Sequence, residues 1–248
     1  MTLPAKPLKR KIVSLDSVDS TNAYAASLSD AEEGTVVVAQ EQTAGRGRLG
    51  RSWLSEKGKN LTFSVILKPG SPAEIGGLVS LLAGLAVAET LGSVGGLSPE
   101  CKWPNDVLLG GRKVCGILTE STITGGTLTR AIVGIGLNVN QTAFPGDLQP
   151  PPTSLMIETG HEFNLTAVLS ALLGTLERRY SDFRTGKYDT IIREWKKLST
   201  TIGQTLSIKT GEGEIRGLAT GVAPDGALLV EVNGSQRKIH AADITILR

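Results

Sequence analysis

The residues best suited to chemistry lie between Gly45 and Arg51, where glycines and arginines alternate. Glycine has no Cβ atom, so the backbone can turn tightly there and approach a ligand closely. Arginine adds a planar, permanently charged guanidinium that matches the oxygens of carboxylates and phosphates. The pattern predicts a loop that binds an anion, although the composition alone is equally typical of a mobile, solvated basic loop.

The glycines of this loop also spell G-x-G-x-x-G, the pattern of a dinucleotide-binding turn. That turn follows a strand and begins a helix, and an acidic residue that binds the ribose stands about 20 positions later. A β-like run at 35–40 precedes the loop, but the chain after it leads to another β-like run at 61–67, and residues 67–71 contain no carboxylate. We therefore reject this type of dinucleotide site.

A second polar segment runs from Lys102 to Asp106, and β-like residues follow on both sides of Gly110-Gly111. This pattern predicts a tight hairpin. The hairpin brings Asp106 close to Lys113, so that both side chains face a common pocket. The alternative interpretation is an edge-strand lysine that forms a surface ion pair.

Two shorter segments carry polar residues or glycines where a ligand could bind. Ser20, Thr21 and Asn22 stand at the start of a helix predicted over 21–28, where they either cap the helix or hydrogen-bond a polar head group. Asp19 and Ser20 are the candidate N-caps. A buried strand predicted over 131–139 contains glycines at 134 and 136, which are unfavourable in a strand unless a bulge or a ligand needs the room.

Composition limits the classes of protein and of site. The chain has 248 residues, 40% of them apolar and 20% charged, with a net charge of +2, which is ordinary for a soluble globular protein and argues against bulk nucleic-acid binding. Only 4% of residues are aromatic, too few for the stacking platforms of single-strand binders. Two cysteines and two histidines predict neither a disulfide framework nor a zinc or histidine-rich metal centre.

Hydrophobic patterning predicts the location and the domains. The N-terminus lacks an apolar signal segment, and the most apolar run, 78–91, is too short to span a bilayer and carries Glu89, so we expect a cytoplasmic protein. Apolar residues at helical spacing over 72–91 predict an amphipathic helix packed on a sheet. Further helices are predicted from a cap at Asn164 to about Phe183 and over 188–198. We expect a basic tail at 1–11, an α+β catalytic domain at 12–200 and, from five short β runs, a small barrel at 201–248.

Taken in their order along the chain, these segments resemble those of a biotin protein ligase, that is, a biotin–[acetyl-CoA-carboxylase] ligase. The resemblance covers nearly all of residues 12–248 and implies a mixed central sheet with packed helices, like the catalytic domain of class II aminoacyl-tRNA synthetases, followed by an SH3-like β-barrel. Because the catalytic part begins at about residue 12, the resemblance is to the short form without an N-terminal DNA-binding domain. The motifs that carry it are Ser20-Thr21-Asn22, Gln42 with Gly45–Arg51 and Trp53, Lys102–Asp106 with Lys113 and Gly116, and Gly134-x-Gly136-x-Asn138.

The resemblance implies an ATP-dependent ligase that forms biotinyl-5′-AMP and transfers biotin to a lysine of a biotin carboxyl carrier protein domain of a biotin-dependent carboxylase. Biotin, ATP and Mg²⁺ are the implied ligands, with no metal ligand assigned to the protein. No DNA or membrane partner is expected, and a homodimer is compatible with the family.

The resemblance also assigns roles to individual residues. Arg48 and Lys113 are the expected catalytic residues, because they are the ones implied to touch both the biotin carboxylate and the phosphate. The expected biotin-binding residues are Ser20, Thr21, Asn22, Gln42, Arg46, Gly47, Arg48, Lys113 and Gly116. The expected ATP-binding and adenylate-binding residues are Arg48, Arg51, Trp53, Asn105, Asp106, Lys113 and Asn138.

Three alternatives stay open on the sequence. A lipoate–protein ligase has a similar fold and also forms an acyl-adenylate, although the arginine-rich loop favours biotin. A non-catalytic regulator that binds biotinyl-AMP would need the same pocket without turnover. An RNA-binding module built from the barrel and the basic loop is the weakest alternative, given the nearly neutral charge and the scarce aromatic residues.

Overall fold

The computed structural model describes Leu8 and residues 10–146, 148–210, 213–240 and 242–247. Its larger part is an eight-stranded sheet in the order β1-β2-β3-β8-β7-β6-β5, with β4 paired beside β8. Strands β1 and β2 are parallel and the other pairs are antiparallel, which confirms the predicted mixed sheet. The strands are β1 (Ile12–Val18), β2 (Val36–Gln42), β3 (Leu61–Leu67), β4 (Ser71–Pro72), β5 (Pro99–Lys102), β6 (Asp106–Leu109), β7 (Arg112–Thr124) and β8 (Thr127–Leu137).

Five α-helices accompany this sheet in the described part of the chain: α1 (Thr21–Ser27), α2 (Gly77–Gly95), α3 (Leu155–Thr159), α4 (Leu165–Arg184) and α5 (Tyr188–Leu198). The prediction that α2 is amphipathic was wrong, because residues on all its faces are buried. Helix α2 contacts strands of the sheet and also helices α4 and α5. A helix covered on several sides needs an apolar surface all round.

The apolar stretch around α2 is longer than the run predicted at 78–91. Together with the turn before it, Ala73–Gly95 has 23 residues and is long and apolar enough to cross a membrane by length and composition. However, 67% of its most apolar window is buried inside the protein, so length and composition are weak evidence for a membrane span. Glu89 is paired within the protein, with Arg178 and Arg179 of α4.

A second sheet of five antiparallel strands, in the order β12-β11-β10-β9-β13, follows the helices. It contains β9 (Thr205–Thr210), β10 (Gly213–Val222), β11 (Leu228–Val232), β12 (Ser235–Ile239) and β13 (Asp243–Ile246). Trp103 joins the two parts: its indole Nε1 donates to Gly226 O at 3.1 Å, and its backbone N donates to Thr201 Oγ1 at 2.9 Å. We propose that the boundary predicted near residue 201 separates the two parts.

The predicted basic tail lies largely outside the described residues. Leu8 and Arg10 are described, and both contact Glu177 of α4: the Leu8 backbone N donates to Glu177 Oε1 at 2.8 Å, and Arg10 forms an ion pair with the same carboxylate. Within its described residues, the tail is therefore paired with the catalytic part.

Candidate active site

A cleft of about 920 Å³ lies where both polar segments and the start of α1 meet. Thirteen of the fourteen sequence-predicted site residues line it. Asn138 does not: it is 3% exposed, and its amide donates to Thr153 O at 2.9 Å, so this geometry does not favour a nucleotide contact. The predicted lining residues are Ser20, Thr21, Asn22, Gln42, Arg46, Gly47, Arg48, Arg51, Trp53, Asn105, Asp106, Lys113 and Gly116.

The loop from Gly45 to Trp53, called the arginine loop below, folds back on itself. Gly47 N donates to Arg51 O at 2.7 Å, and Trp53 N donates to Gly45 O at 2.9 Å. A side chain at Gly45 would not fit, since its Cβ would lie 2.4 Å from Trp53 O. A single 3₁₀ turn, Arg48–Gly50, replaces the α-helix of a dinucleotide-binding turn, which confirms the rejection of that motif.

The Lys113 hairpin, made of β6 and β7, also lines the cleft. Lys113 Nζ lies 2.7 Å from Asp106 Oδ1, with the two side chains 26% and 15% exposed. Backbone bonds fix the hairpin from outside: Lys113 N donates to Pro151 O at 2.8 Å, and Thr153 N donates to Lys113 O at 2.9 Å. The predicted hairpin and its shared pocket are confirmed, and the alternative of an exposed edge-strand pair does not hold.

Helix α1 presents a polar group at the end of the cleft. Ser20 occupies the N-cap position, but its side chain does not cap the helix, so the capping interpretation was wrong. Instead, Gln42 Oε1 accepts hydrogen bonds from Thr21 N at 2.8 Å and from Thr21 Oγ1 at 3.1 Å. Ser64 Oγ lies 2.8 Å from Thr21 Oγ1, so this end of the cleft is a connected polar network.

The two strand glycines of β8 make room for protein side chains. A Cβ at Gly134 would lie 2.2 Å from Asn22 Oδ1, and one at Gly136 would lie 2.3 Å from the Trp53 ring. The Trp53 ring also lies against Gly116 and has Lys113 Nζ at 5.7 Å from its centroid, within the range of a cation–π contact. Trp53 thus forms the wall between the arginine loop and the sheet.

Charge in the cleft is predominantly positive. Among the described lining residues, Arg46, Arg48, Arg51, Lys102 and Lys113 face only two carboxylates, those of Glu100 and Asp106. A concave site with excess cations attracts and holds anionic ligands. The arrangement fits a reaction that brings a carboxylate and a phosphate together.

Cys115 lies beside Lys113 and Gly116 and is fully buried. Burial raises the pKa of its thiol well above the ordinary value, and the nearby Lys113 charge offsets this only in part. A thiol without thiolate character is a poor nucleophile. The interpretation of Cys115 as a small core residue agrees with this environment.

Sequence reasoning missed several lining residues. Some come from the proline-rich segment at 149–151, and others from strand β13 of the second sheet, including Ile244, Thr245 and Ile246. No local pattern marks them as lining residues. The segment at 149–151 reaches the cleft because it pairs with the Lys113 strand, and β13 reaches it because the second sheet packs on the larger part. Gly136 did carry a signal, since it is a glycine inside a buried strand.

The match to protein families agrees with this geometry. The model of the "Biotin/lipoate A/B protein ligase family" matches residues 14–138, and that of the "Biotin protein ligase C terminal domain" matches residues 201–247. The chain belongs to the biotin/lipoate A/B protein ligase family. The second match begins where the sequence predicts the barrel.

Individual members of this family are similar over most of the chain. The bifunctional ligase/repressor BirA of Bacillus spizizenii is 36% identical over 98% of this chain and 76% of its own length. The biotin–[acetyl-CoA-carboxylase] ligase of Paracoccus denitrificans is 35% identical over 93% of this chain and 98% of its own. The biotin protein ligase from Aquifex aeolicus, solved in complex with biotin and ATP, has a TM-score of 0.81 and is 31% identical, covering 97% of this chain and 99% of that one.

Proposed function

We propose that this chain is a biotin protein ligase, which forms biotinyl-5′-AMP from biotin and ATP and transfers the biotinyl group to a carrier lysine. The observation that carries the proposal is the cleft itself: the arginine loop faces the Lys113–Asp106 pair across one cavity. The similar ligase from Aquifex aeolicus was solved with biotin and ATP, which supports these two substrates. The name of the Paracoccus relative supports a carboxylase as the source of the carrier.

In the first step, a carboxylate oxygen of biotin attacks the α-phosphorus of ATP. The bond from that phosphorus to the oxygen bridging to the β-phosphate breaks, and pyrophosphate leaves. Both reactants are anions, so the protein must bring them together and stabilise the charge that builds up at phosphorus. Lys113 and Arg48 take this role, and the Asp106 contact keeps the Lys113 ammonium in place before substrates bind.

We assign the polar end of the cleft to the biotin head group. Ser20, Thr21 and Gln42 offer hydroxyl and amide groups there, and Gly116, against which the Trp53 ring lies, also lines the cleft. Arg51 and Trp53 lie on the arginine loop and are assigned to the nucleotide side. Closure of this loop would protect the adenylate, a reactive mixed anhydride, from water.

In the second step, the amine of a carrier lysine attacks the biotinyl carbonyl carbon. The bond between that carbon and the phosphate oxygen breaks, AMP leaves, and the nitrogen loses a proton as the amide forms. The acceptor must therefore reach the carbonyl from the mouth of the cleft. Strand β13 of the second sheet contributes residues to the lining of the cleft.

Mg²⁺ fits the cleft as a companion of ATP. Among the described residues, no group of three or more His, Cys, Asp or Glu side chains is placed to hold a metal ion. Mg²⁺ typically uses one or two carboxylates together with substrate phosphates and water, so a dedicated protein cage is not needed. Asn105 and Asp106 supply the cleft oxygens of the type Mg²⁺ prefers, and the ion would neutralise phosphate charge.

Biotin-dependent exchange of pyrophosphate into ATP tests the proposal, with purified protein, Mg²⁺ and lipoate as the parallel substrate. We expect exchange with biotin and not with lipoate. Exchange with lipoate alone would move the assignment to lipoate ligation within the same family. Binding of biotin without exchange would support a non-catalytic regulator and contradict the roles of Arg48 and Lys113.

Three further predictions belong to this proposal. A cytoplasmic location is expected from the two free thiols, which are typical of a reducing compartment. A homodimer is compatible with the family and is tested by sedimentation with and without biotin and ATP. Absence of DNA binding is tested by a gel shift with a biotin-operator duplex, where binding at nanomolar protein would contradict it.

A further inference from the structure

Glu120 of β7 is an acidic residue beside the cleft that belongs to none of the recognised motifs. Its two carboxylate oxygens contact different elements. Oε2 accepts a hydrogen bond from Asn22 Nδ2 of α1 at 2.7 Å, and Oε1 lies 3.5 Å from Arg46 Nη2 of the arginine loop. One side chain therefore joins the loop to the helix that forms the polar end of the cleft.

The Asn22 end of this connection is fixed. Asn22 is 3% exposed, and its Nδ2 also donates to Leu118 O at 3.2 Å, while its Oδ1 accepts from Ser64 Oγ at 2.6 Å. Gly134 provides the space for this amide, since any Cβ there would collide with it. A buried amide with all these partners cannot rotate without leaving polar groups unsatisfied. It therefore holds the Glu120 carboxylate at a defined place.

The Arg46 end of the connection is adjustable. The Arg46 and Glu120 side chains are 47% and 39% exposed. Exposed ion pairs of this kind are weak and can break and re-form. Arg46 and Ser52 also form an isolated antiparallel bridge, so the position of Arg46 sets the position of the whole turn between them.

We propose that Glu120 is a positioning residue that holds the arginine loop against the sheet through Arg46 and so couples the loop to α1. Its catalytic consequence rests on the proposed ligase function. A loop held closed retains the adenylate and excludes water, whereas a loop released from Glu120 opens more often and lets the intermediate escape or hydrolyse. Arg46 then acts on the reaction through loop position as well as through its charge.

Limited trypsin digestion without ligands tests the loop contact directly, because trypsin cleaves after Arg48 and Arg51 faster the more often the loop opens. The variant is Glu120→Gln, whose amide oxygen still accepts from Asn22 but whose charge toward Arg46 is lost. We expect loop cleavage, followed by mass spectrometry and normalised to cleavage elsewhere, to rise about two- to fivefold; fivefold corresponds to about 1 kcal/mol.

A double-mutant comparison separates the pair from general destabilisation. Arg46→Ala should raise cleavage after Arg48 and Arg51 as Glu120→Gln does, and the double variant should show no further increase. The control is Arg10→Ala, which removes a surface arginine from Glu177, far along the chain, and should leave loop cleavage unchanged. The proposal would be overturned if Glu120→Gln were cleaved in the loop at the wild-type rate, or if the effects of the two substitutions added in the double variant.

The catalytic arm uses biotin and ATP. The half-life of biotinyl-AMP on the protein should fall about two- to fivefold in Glu120→Gln, while the exchange rate at saturating substrates changes less. If wild-type protein shows no exchange, the ligase proposal fails, and the digestion without ligands still decides the role of Glu120. An unchanged half-life despite faster loop cleavage would overturn the coupling to the reaction.

Discussion

The arginine loop and the Lys113 hairpin bring positive charge to the same cleft by opposite means. The Lys113–Asp106 pair is half-buried, and backbone bonds to the segment around Pro151 fix its strand. Arg46 in the loop is about half exposed and reaches its partner Glu120 at 3.5 Å. The hairpin is therefore a rigid support for the Lys113 charge. The arginine loop covers the cleft, and its Arg46–Glu120 contact is weak enough to break when the loop opens.

This difference assigns separate tasks to the two regions. A charge that stabilises a transition state must already be in place, because reorganising it during the reaction would cost energy. A cover must open for each substrate and product, so it cannot be strongly held. We therefore expect substitutions in the hairpin, and at Arg48 of the loop, to affect the chemical step. Substitutions elsewhere in the loop should affect retention of ligands and the intermediate.

The largest effect is expected for Lys113→Ala. Loss of one preorganised transition-state contact typically lowers a rate about 10²–10³-fold, and we expect this range for biotin-dependent exchange. Arg46→Ala in the loop should lower exchange only severalfold. Rates from the same protein preparations, with folding checked by circular dichroism, make the comparison. If Lys113→Ala and Arg46→Ala are both folded and lose the same factor in exchange rate, the hairpin and the loop do not have separate tasks.

A second, intermediate effect is expected for Gly136→Ala. The new Cβ would lie 2.3 Å from the Trp53 ring, so Trp53 and its loop must move. Overpacking of this kind typically costs about 1–3 kcal/mol, so KM for biotin should rise about five- to 150-fold. The fall in Tm should stay small, because the loop moves rather than the sheet.

Gly174→Ala in α4 is the matched control for that substitution. A Cβ there has no neighbour within 4 Å, and alanine is the better helix former. Its KM for biotin should equal that of the wild type, with equal or higher Tm. A fall in Tm of many degrees in Gly136→Ala with unchanged KM would show that Trp53 is held as rigidly as the Lys113 hairpin and does not move with the loop.

Much of the fold was predictable because its elements carry local patterns. Strand β3 (Leu61–Leu67) and helix α5 (Tyr188–Leu198) have the predicted bounds, and the hairpin around Gly110-Gly111 is where its turn residues place it. Each of these depends on a run of β-branched residues, a helical period or a turn pair within one short segment. Long-range packing did not need to be known.

The missed features depend on residues far apart in the chain. Helix α2 was expected to be amphipathic because α4 and α5, which cover its outer side, begin about 70 or more residues later. The Asn138 assignment to the nucleotide stays a prediction; the motif did not reveal that its amide donates to Thr153 O, 15 positions along the chain. Glu120 was overlooked because its two partners, Asn22 and Arg46, lie 98 and 74 positions away.

A smaller effect is expected for Leu49→Asn in the arginine loop. Leu49 adopts φ 55 and ψ 39, a left-handed conformation that is unfavourable for leucine and tolerated by asparagine. Its side chain is 67% exposed, so little packing is lost. The substitution should stabilise the observed loop and slow trypsin cleavage after Arg48 and Arg51 about two- to fivefold.

Leu54→Asn is the matched control for Leu49→Asn. Leu54 is 53% exposed in the same segment but is not among the left-handed residues. Its replacement should leave cleavage unchanged. If both substitutions slow cleavage equally, the effect comes from lost apolar surface, and the backbone of Leu49 does not set how often the loop opens.

The last prediction concerns the two buried thiols, which report on the part of the site that contains the Lys113 hairpin. Burial raises the pKa of Cys101 to about 12, and burial also raises that of Cys115, which lies beside Lys113. Native protein at pH 8 should therefore react with a disulfide reagent far more slowly than protein in denaturant, where both thiols should react.

The same raised pKa values make stability depend on pH. The folded state keeps the thiol protons, while the unfolded chain loses them above the ordinary thiol pKa of 9.0. The contribution of the thiols to stability is therefore complete below that pH and decreases above it. Fast native reaction of Cys115, at the rate of loop opening measured by trypsin, would show that the hairpin opens together with the loop.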